Sequence, residues 1–185
     1  MKYQVLQKAN TKHIRQVTEI LDWPQLADKV EQWLAGRSTN SGYLTDIWPC
    51  LVVQACGGDP LKVIPLAAMW TLYRFGSRMF DDVLDGDSQY DAVTISLIHS
   101  VFLLGNMCLS DYDVSGAKLR VVLSDLSQTW AFGFRSLVTP RDLSLEQYFK
   151  YRIANDAALY VAIAKAAMVS VDVDEDITAA ITNHA

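Results

Sequence analysis

The residues of this chain with the clearest capacity for chemistry lie in "SRMFDDVLDGD", Ser77 to Asp87, where Asp81, Asp82, Asp85 and Asp87 crowd together. The first three spell D-D-x-x-D. On a helix advancing about 100° per residue, Asp81 and Asp85 stand one turn apart on one face, with Asp82 to the side. Carboxylates so placed repel one another unless something positive joins them. Magnesium has the right properties, since it takes oxygen ligands, keeps several waters and completes its shell with phosphate oxygens. Acids cannot hold an anionic diphosphate directly, so a cation must stand between the two. The plainer explanation is a helix end running into a polar turn. That explanation leaves acids where the helix dipole favours cations. Asp81, Asp82 and Asp85 are thus the candidate metal ligands, with magnesium expected on Asp81 and Asp85.

A calcium loop is excluded by register. With Gly86 at the sixth loop position, Val83 falls at the third and Ala92 at the twelfth, and neither can ligate. Arg74 and Arg78 precede Asp81 at helical spacing and are expected to pair with the acids. Trp70, Tyr73, Phe75 and Phe80 stud the same stretch. Aromatic faces stabilise cations, so these could wall an apolar tunnel, although ordinary core is the expectation for each.

The elements that position these residues are helical throughout. Leu119, Leu123, Leu126, Trp130, Phe134 and Leu137 advance by three or four, as do Leu145, Phe149, Ile153, Ala157, Tyr160, Ala164 and Met168. Ser144 followed by Gln147 predicts a capping box. Asp59 before Pro60 predicts another start, and Pro65 a kink or a delay of the helix to that point. Alternating β-branched runs bounded by hairpin turns are missing. The pattern predicts helices over 10–35, 46–56, 60–85, 91–110, 115–138 and 144–170, with a further start near 174. The breaks fall at "GRSTNSG", "GGDP", "DGDSQ" and "VTPRD".

With 185 residues, 51% of them hydrophobic, the chain is long enough for one sizeable core. The net charge of −5 and the lack of a basic run exclude a nucleic-acid partner. Cys50, Cys56 and Cys108 have no metal-site spacing, and Cys50 and Cys56 are expected in the core. His13, His99 and His184 are scattered. The N-terminal residues lack the apolar core of a secretory signal. "AALYVAIAKAAMVSV", which composition singles out as the most apolar long segment, carries Lys165 and is too short to span a bilayer. A cytoplasmic protein, not integral to a membrane, is expected.

In these motifs the chain resembles the polyprenyl synthetases, the trans-isoprenyl diphosphate synthases of the class I terpenoid synthase fold. "WPCLVVQACGGDP" is similar to the family's R-P-x-L…G-G segment, "MFDDVLDGD" to its first aspartate-rich motif, and "NDAALY" stands in the place of its K-T-A-x-L. The likeness runs from about Gly42 onward. It implies a single all-α domain over 1–185, a multi-helix bundle of the isoprenoid (terpenoid) synthase type lacking its C-terminal helices. It also implies magnesium-dependent binding or transfer of allylic isoprenoid diphosphates, in a homo- or hetero-oligomer.

Departures from the family pattern shape that expectation. The family's basic leader falls on Thr45, Asp46, Ile47 and Trp48, and the lysine and threonine of K-T-A-x-L on Asn155 and Asp156. Gln128 matches the family's G-Q-x-x-D, but Ala131 stands at the aspartate place. A second aspartate motif is not present by Ala185. Each absent cation removes a charge-assisted phosphate contact of roughly 1.5–3 kcal/mol. Chain elongation with isopentenyl diphosphate is therefore not expected. Two other readings stand beside the first: a non-catalytic prenyl-binding or regulatory subunit of an active synthase, and a terpene-cyclase-like protein using a single diphosphate.

Overall fold

The longest apolar run before the aspartates, from Ile64, cannot begin its helix earlier, because Pro65 lacks an amide hydrogen and tolerates only the first turn. The computed structural model shows that outcome. Pro60–Val63 forms a 3₁₀ turn capped by the Asp59 carboxylate, which accepts from the Leu61 amide at 3.0 Å. A regular helix then runs over Ile64–Leu84 with proline in its first turn. The structure describes residues 2–37, 43–88, 90–137, 143–152 and 157–171.

The elements in order are α1 (Tyr3–Ile20), α2 (Pro24–Arg37), α3 (Tyr43–Asp46), α4 (Trp48–Ala55), α5 (Ile64–Leu84), α6 (Ala92–Cys108), α7 (Gly116–Leu137), α8 (Leu145–Arg152) and α9 (Ala158–Met168). No strand occurs among the described residues, and the chain is all-α. It divides into two compact units, one ending at Tyr112 and the other beginning at Asp113.

In the first unit α5 is the central helix. Every residue from Ile64 to Leu72 is buried, which means the helix is enclosed on all sides. α1, α3, α4 and α6 pack around it. α1 contributes one face, Leu6, Asn10, Ile14, Val17 and Thr18. Its buried Asn10 donates to Thr71 Oγ1 at 3.0 Å, and Thr71 donates in turn to the Ala67 carbonyl at 2.9 Å. Trp70, 2% exposed, is the largest fully buried side chain, and its indole donates to the Thr45 carbonyl at 2.7 Å. Trp33 of α2 stacks on Phe75 with ring centroids 4.8 Å apart.

The α5–α6 contact is a reciprocal exchange of glycine and aromatic ring. Phe102 of α6 lies over Gly76, where an added Cβ would stand 2.9 Å from the ring. Tyr73 of α5 lies over Gly105, where the corresponding gap is 2.7 Å. The two rings meet edge to face at 5.1 Å, and the Tyr73 hydroxyl donates to Asn106 Oδ1 at 2.7 Å. Burial pushes the Tyr73 phenol above its ordinary value.

α6 starts at Asp91, whose carboxylate accepts from the Thr94 amide at 2.7 Å. The stretch Ala92–Asp111 is long and apolar enough to cross a membrane, the one such helix among the described residues. It is longer than the apolar helix Ala158–Met168 of the segment singled out by composition. It packs Leu97, Ile98, Val101, Leu104 and Cys108 inward, while Ser96, His99, Leu103 and Asn106 form its outward line. That division is the one a helix packed by one face against a core has.

In the second unit α7 packs on α9. Lys118 donates to the Val169 carbonyl at 3.2 Å, capping the end of α9. α8 opens with the capping box: the Ser144 amide donates to Gln147 Oε1 at 2.9 Å and the Gln147 amide to Ser144 Oγ at 3.2 Å.

One expected helix is divided. The segment 10–35 belongs to α1, which begins earlier at Tyr3, and α2, which ends at Arg37; the two are parted at Leu21–Trp23, with Asp22 at φ +44°. Pro24 is the cause, since it disfavours helical backbone in the residue before it. The segment 144–170 appears as α8 and α9 with 153–156 outside the described residues, as is the start near 174.

Candidate functional site

The acidic cluster sits where α5 leaves the interior. Val83 is the last buried residue, and Leu84 to Ser88 are exposed. Gly86 ends the helix by adopting φ +81°, a conformation only glycine takes without strain. The chain then folds back so that the Asp87 amide donates to the Asp82 carbonyl at 2.8 Å and the Gly86 amide to the Val83 carbonyl at 3.3 Å. This pair of bonds is the Schellman closure. Gly57 (φ +77°) closes α4 the same way, with Gly58 donating to the Val53 carbonyl at 2.9 Å. Gly57 of the "GGDP" break and Gly86 beside the aspartates thus both have a local backbone cause.

Asp81 and Asp82 lie in the last turn and Asp85 is the C-cap. Their position is electrostatically adverse, because unpaired carbonyls give the helix end a partial negative charge. Arg78 offsets it. Its Nη1 lies 3.4 Å from Asp81 Oδ2 and its Nη2 3.0 Å from Asp82 Oδ1, so that one guanidinium bridges two carboxylates. The side chains are 58% (Arg78), 38% (Asp81) and 31% (Asp82) exposed, so water screens these pairs. Ser77, one turn before Asp81, has a buried hydroxyl oxygen with no hydrogen-bond partner in the structure.

Arg74 is placed differently from expectation. It turns away from the acids to Asp46 of α3, with Nη1 3.0 Å from Oδ1, and it also donates to Thr45 Oγ1. Asp46 is 6% exposed, so this pair ties α3 to α5 from a largely dry position. Its guanidinium stands 5.9 Å from the Trp70 ring centre. Thr45 and Asp46 occupy two of the positions where the family resemblance puts basic residues, and here they receive a cation instead of supplying one.

Trp70 and Phe75 are core, while Tyr73 and Phe80 are half-buried, and of the four only Phe80 adjoins the acids in sequence. Cys50 and Cys108 are buried and free, and burial pushes both thiols up to about 12, which leaves them unreactive near neutral pH. Cys56 is only half-buried, so of the two cysteines expected in the core Cys50 alone lies fully inside. Gln128 donates to Ser124 Oγ at 3.2 Å along α7. Asn155 and Asp156 lie outside the described residues.

The donor set of Asp81, Asp82 and Asp85 consists of hard carboxylate oxygens and fits magnesium in chemistry. The cluster already draws a cation to it, the Arg78 guanidinium. Among the described residues no three His, Cys, Asp or Glu side chains converge closely enough to hold a metal ion as they stand. Loading would require the carboxylates to turn inward and Arg78 to release Asp81. No protein-family model matches the chain. No curated protein and no solved structure is significantly similar to it.

Proposed function

We propose that this chain is a polyprenyl-synthetase-like protein that binds an allylic isoprenoid diphosphate through magnesium held by Asp81 and Asp85. The observation that carries the reading is the course of α5, enclosed over Ile64–Leu72 and emerging as an exposed acidic turn. A ligand with an anionic head and an apolar tail matches that polarity, its head at Asp81–Asp85 and its tail toward the half-buried Tyr73 and Phe80. Bound magnesium would neutralise the diphosphate and favour its departure from the allylic carbon. The chain's own residues do the rest: Asp81 and Asp85 offer oxygens, Asp82 is a third acid, and Arg78 moves from Asp81 toward the phosphate.

Elongation with isopentenyl diphosphate is not part of the proposal, because Asp46 and Thr45 engage Arg74 where a second diphosphate would need free cations. The activity class is binding, or reaction, of a single diphosphate, in this chain or in an oligomer with a synthase partner. A second reading has its own support: the Schellman closure and the Arg78 bridge account for the acidic turn without any ligand.

Thermal unfolding separates the two. A ligand at one hundred times its dissociation constant stabilises the folded state by about 2.7 kcal/mol. Magnesium and farnesyl diphosphate together are expected to raise the unfolding temperature, with little effect of either alone. An equal rise in the Asp81→Ala, Asp85→Ala double variant, or no rise in the wild type, would leave the acidic turn as a helix terminator only.

A further inference from the structure

We draw no further inference here: the strongest candidate, the exposed apolar stripe of α8 formed by Leu145, Tyr148 and Phe149, carries none because nothing in the structure shows what covers it.

Discussion

The two halves of α5 are held by different physics. From Ile64 to Gly76 the helix is fixed by tertiary packing, with Trp70 enclosed and glycine exchanged for aromatic ring with α6. From Ser77 to Asp87 only Val83 is buried, and a glycine turn and one arginine bridging two aspartates act locally on an otherwise more open segment. The first half is rigid because many atoms would have to move at once. The second half can exchange its counter-ion at small cost, since exposed ion pairs contribute about 0.2–1 kcal/mol. A scaffold and a candidate site therefore share one helix without sharing their energetics. Substitutions should sort along the same line.

The largest effect is expected at the enclosed end. Trp70→Ala removes the biggest core side chain and its bond to the Thr45 carbonyl, and should destabilise the protein by about 3–5 kcal/mol in denaturant unfolding. Gly105→Ala sets a methyl group against the Tyr73 ring and should lower stability by about 1–3 kcal/mol, measured the same way. Neutral behaviour of both variants would break the assignment of α5–α6 as the structural centre.

Asp91 gives a smaller, pH-dependent effect. The Thr94 amide holds the Asp91 carboxyl below its ordinary value, with a lesser contribution from the Thr94 side chain and the Val93 amide. Its contribution is therefore complete above the unfolded carboxyl value, near pH ~4, and is lost as pH falls through the lower folded value. Asp91→Asn should be less stable than the wild type at neutral pH, with the difference closing in acid. A difference constant with pH would remove the titrating cap. Arg78→Ala should change stability by less than about 1 kcal/mol. Its sharper consequence is at the acids, where affinity for magnesium alone should rise because a competing cation is gone; a fall would show that Arg78 does not compete with the metal for these carboxylates.

What was legible in the sequence was local. The Ser144–Gln147 box, the Asp59 start and the delay at Pro65 each involve neighbours within four residues, and each is found. The acidic turn at the end of a long apolar helix was equally plain. The break before Pro24 had a signal too, but the apolar periodicity on either side concealed it. Pairings across the fold were not legible. Arg74 sits at helical spacing from Asp81, yet it bonds Asp46, 28 residues earlier, because α3 packs against that face. Gly76 and Gly105 gave no hint that each admits the other helix's ring, since only the assembled pair creates that crowding.

Whether the acidic end of α5 holds a divalent cation and, through it, a diphosphate is decided by calorimetric titration of the folded protein with a non-hydrolysable farnesyl diphosphate analogue. The titration is run with and without magnesium, on the wild type and on Asp81→Ala with Asp85→Ala. Saturable binding is expected that needs magnesium and disappears in the double variant, while the variant's unfolding temperature stays near that of the wild type. Binding that ignores both magnesium and the two aspartates, or no binding at all, would contradict a diphosphate site at this helix end.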